Sequence, residues 1–243
     1  MTTYRNRGDQ THSARQNEMR RDTGMLTELA HYSVEWNDLH KAHEQNSRFL
    51  RRLAADREGM RTLFDRVRED PTLWDMCEHN RLFDKLVLHD APERGFRLRL
   101  HRWFDDEVAA AHDHRWSFTT LVLRGGYDHT LFEVLRAPDG NKTSGPDERV
   151  QVAERFRTTE RAGDSYTIQH TTVHSTATSP QTVTLLLRGP AEKPRSRRTD
   201  PSTGQIWYGV GRQDQTAGEV AKRQLSIDQY ERIHEELAAY GIV

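Results

Sequence analysis

Apolar residues recur along this chain with two different periods, and the change from one to the other falls near Arg94. Before it, Leu26, Leu29, Ala30, Val34 and Leu39 stand at three- to four-residue spacing, as do Phe49, Leu50, Leu53, Met60, Leu63, Phe64 and Val67. That spacing lines one stripe of a helix and leaves charged residues on the opposite, solvated face. Pro71 interrupts the run after an acidic pair, and Thr72–Leu88 can form another short helix. Beyond Arg94 the period becomes two: Phe96, Leu98 and Leu100 alternate with Arg97, Arg99 and His101, as on a strand.

Further strand-like runs cover Ser117–Leu123, Tyr127–Leu135, Val150–Thr158, Asp164–His170 and Val183–Leu187. Gly125-Gly126, the stretch Ala137–Asp147, Gly163 and Ser179-Pro180 punctuate them as turns. Many short strands at this spacing predict a mainly β sandwich or barrel over residues 94–190. Residues 23–93 form a helical extension to it, and residues 191–243 supply a C-terminal strand or loop and a helix packed on the barrel. In that last helix, Ser226–Tyr240, Ser226 and Gln229 can form a capping box and Gly241 the terminator. Residues 1–22, rich in Arg, Asn, Gln, Thr and Ser without apolar periodicity, read as a disordered lead-in.

Composition narrows the function classes. The 243 residues carry 36 Lys and Arg against 37 Asp and Glu, so no bulk charge favours nucleic acid or an anionic membrane. The basic segment KPRSRR after Gly189-Pro190 is short and flanked by acids, which makes it a connector, and no helix-turn-helix pattern precedes it. Hydrophobic residues make up 34% and the mean hydropathy is −0.92, so the ordered core is smaller than the chain. No 18-residue apolar run is present, and Met1–Arg21 lacks the apolar stretch of a secretory signal. Cys77 stands alone, which excludes an intramolecular disulfide and suits the cytoplasm. Within LWDMCEHN it reads as a packing residue.

His112-Asp113-His114 carries the chemistry. Two residues apart on a strand, both imidazoles share a face and can reach one ion. Gly126 follows, and further on come Gly163-Asp164 and His174, eleven residues beyond Gly163. HDHRWSFTTLVLRGG and GDSYTIQHTTVH resemble the two motifs of the cupin superfamily, over roughly residues 95–190, about 40% of the chain. The resemblance implies a double-stranded β-helix (jelly-roll) barrel holding one metal through His112, His114 and His174. The family's carboxylate ligand falls at Thr119, and Asp106 and Gln169 replace two further motif residues. A set of histidines without glutamate is similar to the thiol dioxygenases of this superfamily. It implies Fe(II) with open positions for an anionic substrate and O2, with Zn, Mn or Ni as alternatives.

Other residues are candidates around that ion. His129 or Glu107 could add a ligand, although His129 also fits a cross-strand surface position and Glu107, like Asp105, a loop. By the same resemblance Arg97 or Arg99 would clamp a carboxylate; both equally fit the outward side of an amphipathic strand. Arg115, Trp116, Phe118, Tyr127 and His170 are candidate substrate-binding residues, and Tyr166 a phenol donor near the metal; for the aromatic ones core packing is the alternative. The expected function is a mononuclear non-haem iron oxygenase acting with O2 on a small carboxylate- or thiol-bearing metabolite. A non-oxidative isomerase, lyase or hydrolase, or a metal- or small-molecule-binding module without catalysis, stays open. No nucleic acid or membrane partner is expected, and a homodimer through exposed sheet edges is compatible with the pattern.

Overall fold

Three aspartates start three of the four helices that follow one another at the N-terminal end. The computed structural model describes residues 24–104, 108–136 and 149–243. The expected lead-in, the carboxylates Asp105 and Glu107, and the whole 137–147 turn lie outside these. Helix α1 (Met25–His31) leads to α2 (Leu39–Ala55), α3 (Arg57–Glu69) and α4 (Pro71–Asp75). Asp38 accepts from Lys41 N, Asp56 from Gly59 N and Asp70 from Thr72 N, at 3.0, 3.0 and 2.8 Å, which satisfies backbone donors that a helix start leaves free.

Among the described residues twelve strands follow: β1 (Glu78–His79), β2 (Phe83–Ala91), β3 (Phe96–Trp103), β4 (Ala111–His112), β5 (Phe118–Arg124), β6 (Gly126–Arg136), β7 (Gln151–Arg161), β8 (Ser165–Ile168), β9 (Val173–Thr178), β10 (Val183–Arg188), β11 (Arg195–Thr199) and β12 (Ile206–Val210). They form two six-stranded sheets, ordered β1-β2-β3-β10-β5-β8 and β12-β11-β4-β9-β6-β7. Their central eight strands, β3 to β10, divide between the sheets as β3-β10-β5-β8 and β4-β9-β6-β7, which is the jelly-roll order of cupin barrels. The barrel expected from the period-two pattern is therefore present, with β1–β2 lengthening one sheet and β11–β12 the other.

One stretch departs from the expectation. The helix read over Thr72–Leu88 stops at Asp75, and Phe83–Ala91 is a strand paired with β3. The run Leu86-Val87-Leu88 is buried on both sides, and so short an apolar run fits a doubly covered strand as well as a helix. Cys77 lies beside it as a packing residue: its Sγ accepts from Val87 N at 3.3 Å, and burial pushes the thiol up to about 11.

The main core lies outside the barrel. Leu98, Leu100, Leu121, Val183, Leu185 and Leu187, on the outer face of the first sheet, join Phe49, Leu50, Leu53, Leu63 and Phe64 of α2 and α3. Two helices follow the strands, α5 (Ala217–Arg223) and α6 (Ile227–Ala239), and the second closes this layer. The latter has the Ser226–Gln229 capping box, ends at Gly241 with φ of 69°, and buries Tyr230, Ile233 and Leu237. No helix among the described residues is long and apolar enough to cross a membrane. Since Leu98 and Leu100 face the helices, their polar neighbours Arg97, Arg99 and His101 face the other way, into the barrel.

Candidate metal centre

Two adjacent strands of the second sheet bring the histidines together. His112 ends β4 and pairs directly with His174 on β9. His114 follows one residue beyond Asp113, and its backbone N–H donates to His170 O at 3.3 Å. Asp113 turns the opposite way. Its carboxylate accepts from Arg197 N at 2.6 Å and meets Lys193 Nζ at 2.7 Å, which ties the metal strand to β11 and leaves both imidazoles facing the barrel.

One ring nitrogen from each of His112, His114 and His174 lies within 4.8 Å of the other two. His112 Nδ1 donates to Ala110 O at 2.8 Å, and His174 Nδ1 is taken by His129 Nε2 at 2.9 Å, so in both rings Nε2 is the nitrogen left for an ion. His114 Nε2 and His174 Nε2 are 2.8 Å apart. Metal–nitrogen bonds of about 2.1 Å at a right angle separate two ligand nitrogens by about 3.0 Å, close to that spacing. Burial holds all three histidines below the usual imidazole range, His114 and His174 well below it, and their mutual proximity adds to this for those two. Neutral imidazole is the ligating form, so the donor set fits a divalent transition metal.

His129 stands outside the three-histidine cluster. Its Nε2 is engaged with His174 Nδ1, and its Nδ1 faces Glu160 Oε1 at 3.5 Å. It stands behind His174 and fixes which nitrogen of that ring carries the proton. Burial, with His112 nearby, pushes its pKa down to about 4, so it too is neutral. Tyr166 packs its ring on His129 at 4.6 Å and shares a 2.7 Å hydrogen bond with the Tyr127 hydroxyl. Burial raises both phenols above their ordinary range, and both belong to the wall behind the histidines.

Thr119 does not occupy the position of a missing carboxylate ligand. It points away from the barrel into the helix layer, where its Oγ1 accepts from Asn46 Nδ2 at 3.0 Å and shares a 2.8 Å hydrogen bond with Thr167 Oγ1. Tyr32 OH in turn donates to Asn46 Oδ1 at 2.8 Å. The inward residue is Phe118, whose ring lies 4.8 Å from His114 and 6.1 Å from His174. Phe118 is four residues from His114, an even step that keeps it on the inward side, whereas the motif spacing points to Thr119, the next residue, which faces the helices. The polar chain through Asn46, which docks α2 on the barrel, left no periodic trace in the sequence.

The two candidate arginines of β3 both face inward, but they differ. Arg97 forks onto Asp90 with contacts of 2.7 and 2.8 Å, which occupies it structurally. Arg99 lies over the Trp116 ring, 5.0 Å from its centre, and Trp116 lies 4.9 Å from His114. Arg188 on β10, unnoticed in the sequence, also approaches Trp116, at 5.9 Å. Arg115 instead donates from Nε to Lys193 O at 3.4 Å, and His170 Nδ1 meets Glu192 at 2.9 Å. Glu192 also accepts from Ser117 Oγ at 2.6 Å, so the segment after the barrel straps the metal loop in place.

No family model matches the chain, and no curated protein matches it. Solved structures similar to it include KdgF from Halomonas sp., 13% identical over 47% of this chain and 88% of that one, with a TM-score of 0.34. An RmlC-like cupin from Shewanella frigidimarina NCIMB 400 is 15% identical over 48% and 85%, with a TM-score of 0.32. The polyketide cyclase RemF from Streptomyces resistomycificus is 20% identical over 63% and 80%, with a TM-score of 0.33. The barrel assignment itself rests on the strand order.

Proposed function

We propose that this chain is a mononuclear non-haem iron oxygenase that uses O2 on a small anionic metabolite. The observation that carries this reading is the cluster of neutral His112, His114 and His174, which among the described residues includes no carboxylate. Such a set leaves a divalent ion its full charge and several open positions, which suits an anionic donor and O2 together. Fe(II) held there would supply the electrons for O2 chemistry and Lewis acidity toward the donor atom.

The chain's own residues define the rest. His129 keeps the proton of His174 on Nδ1 and its Nε2 lone pair on the ion-facing side. Phe118, Ile168 and Leu186, with Trp116 against them, form an apolar wall that excludes water beside His114. Arg99 supplies positive charge on the far side of Trp116, where an anionic substrate would be oriented.

Nitric oxide, an O2 surrogate, tests the open positions. Protein loaded anaerobically with Fe(II) is expected to give the high-spin iron–nitrosyl signal in electron paramagnetic resonance. His112→Ala, His114→Ala and His174→Ala should each lose both the iron and the signal. Full iron occupancy in all three variants, or tight zinc binding with no nitrosyl signal from iron-treated protein, overturns the reading.

A further inference from the structure

The inner face of the first sheet carries more positive charge than its neighbours neutralise. Inward positions on β2, β3 and β10 hold Lys85, Arg97, Arg99 and Arg188. Two of these are matched. Lys85, which burial pushes down to about 7, sits 2.9 Å from Glu78 Oε1, and Arg97 is held by both oxygens of Asp90.

Arg99 and Arg188 form no ion pair among the described residues, although Asp90 lies near enough to favour both charges. Arg99 is only 8% exposed, and its Nε finds no hydrogen-bond partner among the described residues. Arg188 Nε is buried and equally unpartnered, while one Nη donates to Gly189 O at 2.9 Å. The register sets Arg188 opposite Arg97 and Leu186 opposite Arg99, so the two guanidiniums are diagonal neighbours on one face. They converge on the ring of Trp116, which itself adjoins His114. Burial and Arg188 hold Arg99 well below the usual guanidinium range, and burial with Arg97 pushes Arg188 down to about 10. His101, on the same face two residues beyond Arg99, adds a buried Nε2 without a partner. Buried charges are ordinarily paired, and a ring face compensates a cation only in part.

We propose that Arg99 and Arg188, with Trp116 beside them, form a subsite for a dianionic group of the substrate. The class is that of a phosphate monoester or of two carboxylates within the span of the pair. The charge count decides it: a single carboxylate would leave one guanidinium uncompensated. Arg97, which looks equivalent in the sequence, takes no part. The proposal rests on the reading that the substrate enters the barrel beside His114, but it does not depend on which metal is bound.

Calorimetric titration of chelator-treated full-length protein separates the two readings, because it detects the arginine subsite with no metal present. The probes are inorganic phosphate, malonate and acetate. Phosphate or malonate is expected to bind at least about tenfold more tightly than acetate, as loss of one charge-assisted contact implies. The ratio of phosphate to malonate affinity tells a tetrahedral dianion from a dicarboxylate. Arg188→Gln should reduce dianion affinity by about tenfold and leave acetate binding nearly unchanged, while Arg188→Lys keeps the preference for dianions. Equal affinity for acetate and malonate, no binding of any probe, or unchanged dianion binding in folded Arg188→Gln overturns the proposal. Should Arg188→Gln not fold, the comparison of the three probes on the unaltered protein decides alone.

Discussion

The two faces of the first sheet are built for opposite purposes. Outward, Leu98, Leu100, Leu121, Leu185 and Leu187 pack under α2, α3 and α6 in one continuous apolar cluster. Inward, the same strands present Arg97, Arg99, His101, Thr184 and Arg188, and only Phe118, Ile168 and Leu186 form a small apolar group there. The stabilising core thus lies between barrel and helices, and the barrel interior is left for polar chemistry. This also accounts for a hydrophobic content of only 34% in an ordered fold: a single side of the sheet carries most of the buried apolar surface. The helical extension is a structural requirement of that arrangement, since without it the outer face of β3, β10 and β5 would be exposed to water.

Substitutions on the two faces should therefore separate stability from ligand binding. Leu185→Ala, in the centre of the outer cluster, is expected to cost about 2–5 kcal/mol in urea unfolding, while the metal content of the folded fraction stays unchanged. A parallel loss of metal at low denaturant would show that the faces are coupled. Thr119→Val is a finer test of the same division. It removes the acceptor of the buried Asn46 amide and should cost about 1–3 kcal/mol, again without effect on metal affinity. Weakened metal binding in that variant would place Thr119 back at the ion.

The inner face should instead reveal itself through pH. His101 is held well below the usual imidazole range by burial first and by Arg99 and Lys85 after it. Its folded-state pKa is depressed, so below the unfolded value of about 6.5 the unfolded chain binds the extra proton and the folded chain does not. Stability is thus fully present above about pH 6.5 and falls as pH drops, by up to about 1.4 kcal/mol per pH unit for each such group. Urea midpoints of metal-free protein measured between pH 7.5 and 5.5 should show this slope, and His101→Gln should make it shallower. An unchanged slope in His101→Gln would show that this side chain is charged or hydrated in the folded protein.

Much of this was legible in the sequence because it depends on local spacing. The period-two run around Phe96–His101, the Ser226–Gln229 cap and the His112-x-His114 pair all follow from which residues share a face of one element. Motif spacing points to Thr119, yet that side chain faces the helices and Phe118 is the residue beside His114. The alternation rule agrees with the structure there, because Phe118 is an even four residues from His114. It was silent where an apolar run is too short to choose a period, as at Leu86-Val87-Leu88.

By itself the sequence pointed to a β barrel with helices at both ends and, through the family resemblance, to His112, His114 and His174 as one set. Strand period, turn residues and the His112-x-His114 spacing are properties of neighbouring residues, and they survive without knowledge of the fold. Only the tertiary structure decided that Arg97 is neutralised while Arg99 and Arg188 are not, and that His129 supports His174 without joining it. Pairing of charges and hydrogen bonds depends on residues such as Asp90, Arg188 and Glu160, which the strand register brings together from distant parts of the chain.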